Sequence, residues 1–167
     1  MADSRAVALQ PSLLDRLTDE DPGQRVDPSD SRLLGKSGLR AAVLRDLASL
    51  LNVTRLDASQ PLEAWPEVER SVLNYGLPAF AGETASTLDV KGLERAIRLA
   101  ILRFEPRILA DTLEVHAVEQ DSMLGWHNVV CVTISGQIWA QPVPLEMMLR
   151  TEMDLETGLV SLSEFKA

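Results

Sequence analysis

Residues 96–107 read Ala96-Ile97-Arg98-Leu99-Ala100-Ile101-Leu102-Arg103-Phe104-Glu105-Pro106-Arg107, and the chain is organised around them. The stretch belongs to an amphipathic helix. Val90, Leu93, Ile97, Ile101 and Phe104 recur at spacings of three and four, which puts them on one face. Asp89 stands where an N-cap belongs. The residue before a proline is pushed out of the α region, so the helix stops near Phe104 or Glu105. Proline fixes its own φ, and Glu105 and Arg107 therefore flank a stiff corner. A carboxylate and a guanidinium held this way serve either chemistry or contact.

Composition narrows the choice. The chain has 167 residues, the size of one ordinary domain with a tail to spare. Apolar residues at 46% are enough for a real core. The formal net charge of -9 argues against wrapping nucleic acid or resting on anionic lipid, because both want positive charge. A local basic patch is still possible, since Arg95, Arg98, Arg103 and Arg107 lie close together. The single cysteine, Cys131, cannot form an internal disulfide and is too few for a cysteine zinc site, which fits a reducing compartment. The N-terminus carries no basic leader before an apolar run, so no signal peptide is expected. No window approaches 18 uninterrupted apolar residues, so no membrane span is expected.

Outward from the corner, the N-terminal half reads as helices. Leu13, Leu14 and Leu17 form a short apolar patch that Ser12 can cap; at about two turns it must dock on something to persist. Whether it folds back on its own domain or anchors a partner stays open. Residues 19–31 are acidic and rich in breakers, a linker without a phosphate-binding glycine pattern. Leu39, Val43, Leu47 and Leu50, widened by Leu44 and Leu51, predict a core helix over 37–51 that stops at Asn52. Its other face carries Arg40, Arg45 and Asp46. A third helix begins at Trp65-Pro66, with acids in its first turn. It ends in a turn where Asn74 and Gly76 can take positive φ. Residues 80–87 read as a loop.

After the corner the period drops to two. One strand alternates through Leu113, Val115 and Ala117, with a polar loop after it at 119–125. A second strand spans 127–135, central in its sheet because both faces are fairly apolar, and Ser135-Gly136 reads as a turn. Pro142 and Pro144 keep 138–145 from being an interior strand. Two further strands, 147–154 and 158–162, join around Glu156-Thr157-Gly158. Helices first and strands second give an α+β fold: N-terminal helices packed on a small, mainly antiparallel sheet formed by the C-terminal half. The organisation is a short helix and acidic linker over 1–31 and a single domain over 32–167.

Candidate chemistry is thin. His116 and His127 lack metal-binding spacing and read as partly exposed strand residues. Cys131 sits in an apolar strand and reads as a small buried hydrophobe rather than a nucleophile. No nucleophile elbow, P-loop or dinucleotide fingerprint occurs. Glycoside hydrolysis needs two acids, one of which keeps its proton. Glu105 is the best placed acid, but Arg103 and Arg107 beside it favour the ionised carboxylate, the wrong state for a general acid. Aromatic residues are only 4%, too sparse to furnish a long sugar-stacking cleft. The residues therefore assign no catalytic, cofactor-binding or metal site. Glu105 and Arg107 either pair internally and lock the corner or point outward and bind. The outward reading predicts that alanine at either position leaves the isolated domain folded and weakens assembly.

Five segments occur in a telling order. They are Arg45-Asp46-Leu47 with Leu50-Leu51-Asn52, Ser71-Val72-Leu73-Asn74-Tyr75-Gly76-Leu77-Pro78, Phe104-Glu105-Pro106-Arg107, Ile134-Ser135-Gly136, and Thr151-Glu152-Met153-Asp154-Leu155-Glu156-Thr157-Gly158. Together they resemble the TssE family, the baseplate wedge subunits of bacterial type VI secretion systems, which is similar to the lysozyme-like baseplate wedge protein of contractile phage tails. The likeness runs over residues 13–165. It implies a structural protein under the inner membrane, in the cytoplasm, without cofactor, nucleic acid, small-molecule substrate or direct membrane insertion. The implied partners are the wedge proteins TssF and TssG, with TssK in the same baseplate. The sheet resembles the part of the sheath subunits TssB and TssC that exchanges strands, so it implies a role in starting sheath assembly. The family's contact with the wedge core carries over to Glu105, Pro106 and Arg107. The competing reading is a peptidoglycan hydrolase, a lysozyme-like muramidase using Glu105. An edge strand left free would make the isolated protein self-associate.

Overall fold

Alternating apolar residues in the C-terminal half pair into one antiparallel sheet. Its strands are β1 (Glu114–Glu119), β2 (Val129–Ile138), β3 (Leu145–Asp154) and β4 (Val160–Glu164), in the order β1-β2-β3-β4. The helices precede it: α1 (Leu13–Leu17), α2 (Lys36–Leu51), α3 (Pro66–Glu69) and α4 (Val90–Phe104). This is the α+β arrangement expected from the sequence. The structure is a computed structural model that describes residues 12–18, 23, 35–80, 88–119 and 129–165. The expected acidic linker apart from Gly23, most of the loop at 80–87, the loop after Glu119, and His127 lie outside the described residues.

One sheet face is buried and the other is open, as suits an antiparallel sheet covered on one side. Val130, Val132, Ile134 and Ile138 of β2 and Met147, Leu149 and Met153 of β3 face the core. α2 and α4 cover them with Leu39, Val43, Leu47 and Leu50 and with Leu93, Ile97, Ala100 and Ile101. β2 is interior to the sheet, but only its core face is buried; Cys131 and Thr133 on the other face are half-buried. Cys131 is thus not the buried hydrophobe expected. It lies on the open face, with its Sγ 3.6 Å from the Arg150 guanidinium.

Four local expectations are corrected. β2 does not turn at Ser135-Gly136 but runs on to Ile138, pairing Gly136 with Met147. The reversal falls in the proline-bearing segment 139–144 instead, because the ladder with β3 holds the glycine in extended backbone. The third helix is only four residues, followed by a 3-10 turn at Val72–Asn74. Asn74 does not take positive φ. It is buried, accepts the Asp57 N–H and donates to Glu69 O, while Gly76 alone carries the turn at φ 119°. A Cβ on Gly76 would stand 2.1 Å from Val53 O, so that position needs glycine for space as well as for φ. Asp89 occupies the N-cap position of α4, but its side chain makes no cap bond and pairs with Arg95.

Both sheet edges are partly closed by helix side chains. On β1, Glu94 accepts the Ala117 N–H at 2.9 Å, and just before the strand Arg98 donates to Leu113 O. On β4, the Asn52 side chain takes both backbone groups of Val160, accepting its N–H at 2.9 Å and donating to its C=O at 2.8 Å. Asn52 was legible only as a helix stop; it stands in for one rung of a neighbouring strand. Asn52→Ala removes both bonds and is expected to cost about 1–3 kcal/mol, lowering the thermal midpoint by several degrees. A thermal melt unchanged within a degree contradicts this role.

Candidate functional site

α4 ends where Pro106 dictates. Glu105 has left helical geometry, at φ −123° and ψ 76°, yet its N–H still bonds Ile101 O at 2.8 Å. Its side chain turns inward and is only 3% exposed. Arg107 wraps it: Nε donates to Oε1 at 2.6 Å, Nη2 to Oε2 at 2.5 Å, and the backbone N–H to Oε1 at 3.2 Å. Of the two readings of this pair, internal pairing is the geometry found. The corner is also pinned to the sheet, where Arg107 O accepts the Trp139 N–H at 2.7 Å and Leu109 N–H bonds Gln137 O at 2.8 Å. Pro106 is exposed.

The pair continues into α2. Arg107 Nη2 also donates to Asp46 Oδ2, and Asp46 Oδ1 accepts from Arg45 Nε at 3.0 Å and Nη2 at 2.8 Å. Arg45 Nη1 then reaches Asp15 Oδ1 in α1 at 2.5 Å. Charges of alternating sign therefore run Glu105, Arg107, Asp46, Arg45, Asp15. The Arg107 guanidinium is raised above its already high range, chiefly by Glu105; burial opposes this and Asp46 adds to it. Burial pushes the Asp15 carboxyl up, but its bonds to Ser12 and Arg45 prevail and lower it. Ser12 caps α1 in a reciprocal box with Asp15, as its sequence suggested.

An open groove of about 620 Å³ lies beside the corner. Leu14, Tyr75, Phe104 and Pro106 supply apolar walls, and the rims carry Arg45, Asp46 and Arg107. Tyr75 meets Phe104 edge-on at 5.1 Å, and Arg103 lies over the Phe104 ring at 5.3 Å. Two acids therefore do share a groove, Glu105 and Asp46, but one guanidinium bridges them. Both Glu105 oxygens accept hydrogen bonds from Arg107. Among the described residues no cluster of three or more His, Cys, Asp or Glu is placed to hold a metal. His116 is exposed on β1, 3.8 Å from Glu114. Sequence reasoning missed Asp46 and Arg45 as parts of this site. Their only signal was the matched Arg45-Asp46-Leu47 segment.

A helix that buries one apolar face on a one-sided sheet and ends in a tied-down charged corner suits a structural, contact-making protein. A family model described as baseplate wedge protein gp25 matches residues 37–143, well over half the chain. The chain belongs to this family, which is also the family of TssE. It is accordingly a baseplate wedge-like structural component of the contractile-tail type. No curated protein and no solved structure matches the chain. No helix among the described residues is long and apolar enough to cross a membrane.

The internal pairing changes what alanine at the corner should do. Arg107→Ala strands a buried carboxylate, and Glu105→Ala leaves a half-buried guanidinium with Asp46 alone. Each is expected to destabilise the domain by about 3–5 kcal/mol, with Arg107→Ala the worse. Urea unfolding reads this directly; a loss under about 1 kcal/mol for both would mean that the pair behaves as a surface pair.

Proposed function

We propose that the chain is the wedge subunit of a type VI secretion baseplate and that it docks through the Glu105-Pro106-Arg107 corner. The reading is carried by one observation: a buried ion pair holds an exposed proline at the rim of an apolar groove. The pair sets the shape, and Pro106 with the groove makes the contact. The partners under this reading are TssF and TssG, in a baseplate that also holds TssK. The work is done at the cytoplasmic face of the inner membrane, and the sheet helps TssB and TssC begin the sheath. On β4, Asn52 takes the groups of Val160; the alternation of an antiparallel strand turns the groups of Leu162 and Glu164 the same way, where a partner strand can pair.

The chain is not an enzyme under this reading. A muramidase draws on the two carboxylates in one groove, but the Arg107 guanidinium bonded to both opposes a proton-donating acid there. The test is co-purification with TssF and TssG. Pro106→Asp is expected to weaken the complex at least about tenfold, measured at a temperature where urea unfolding shows the variant still folded. Undiminished co-purification contradicts docking at the corner. Clearing of peptidoglycan in a zymogram, lost in Glu105→Gln, would establish the enzyme instead.

A further inference from the structure

We propose that α1 is a second anchor for the partner that takes the corner, presenting Leu13, Leu14 and Leu17 to an apolar recess on that partner. This rests on the docking reading above. The argument begins with the way α1 faces. A helix docked for its own stability turns its apolar stripe to the core. α1 does the reverse. Asp15, with a side chain 13% exposed, points at the domain and bonds Arg45, while the three leucines are 70%, 58% and 75% exposed. A five-residue helix has no stability of its own, and here it buries no residue. The ion pair between Asp15 and Arg45 therefore orients it, and holds the leucines outward.

This arrangement is not that of a plug. A segment that covered the corner would turn its leucines onto Tyr75 and Phe104, whereas only Leu14 reaches the groove wall. The same wall identifies the occupant. Arg45, Asp46, Glu105 and Arg107 are paired with one another, so none is left over to recruit an ion or a charged peptide. What the surface offers is apolar, and exposed apolar patches of this kind mark protein contacts. Leucines at i, i+1 and i+4 suit a helix entering an apolar groove. Leu14 and Pro106 line the same groove, so a partner seated on the corner meets α1 without a second binding event.

The test is calorimetric titration of the full chain with purified TssF–TssG complex. Leu13→Ser, Leu14→Ser and Leu17→Ser together alter only exposed side chains and are expected to weaken binding at least about tenfold with the melting temperature held. Asp15→Ala, which frees the helix from Arg45, is expected to weaken it in the same direction. Unchanged affinity of the triple variant overturns the proposal, and tighter binding overturns it in favour of a cover. If the triple variant abolishes a dimer of the wild type at unchanged affinity, the leucines join two copies of this chain and the proposal also fails. Pro106→Asp in the same titration separates the two readings. Loss there with a silent triple variant defeats only the α1 anchor, and no loss in either defeats the docking reading as well.

Discussion

The Arg107 guanidinium, clasped by Glu105 and Asp46, is the contact on which the arrangement depends. Taking a carboxylate out of water is costly, and only several good donors repay it. Glu105 finds them all on one residue two positions away. That short span is possible because Pro106 ends α4 and folds the chain back. Asp46 then brings in the middle of α2, and the backbone of Arg107 joins the end of β2. One residue, through its side chain and its backbone, thus ties both covering helices to the sheet at the point where the chain passes from helix to strand.

Under the proposed reading, the same contact makes the corner a docking element rather than a reaction centre. A general acid must keep a proton and be free to give it up. Here both oxygens of the buried acid are engaged by a cation that does not lose its charge. What such a pair supplies is stiffness: a corner of fixed direction loses little freedom when it binds. Membership of the baseplate wedge family fits a component whose task is to hold shape under assembly.

Much of the fold was legible because it is written in local periodicity. The leucine stripe of α2, the stripe of α4 and the alternation of β1 to β4 each follow from burying one face. The proline stop at Glu105 and the glycine turn at Gly76 follow from backbone sterics. What was not legible depends on residues distant in sequence. Ser135-Gly136 looks like a turn until the β3 ladder is present to keep it extended. Asn52 looks like a helix stop until Val160 arrives to be bonded. Cys131 looks buried because its neighbours are apolar, yet sheet parity puts it on the open face. For the site, the residue types at the corner were evident. The choice between an outward and an inward Glu105 was not, since Asp46 lies 61 positions from Arg107. The polar face of α2 gave no hint that it turned toward the corner.

The most direct test of the account is an electron cryomicroscopy structure of the chain bound to TssF and TssG. The account predicts Pro106 and the apolar groove buried against the wedge proteins, with Arg107 still bonded to Glu105 and Asp46. A complex in which the corner faces solvent, or in which Arg107 has left Glu105 to pair with the partner, would contradict it.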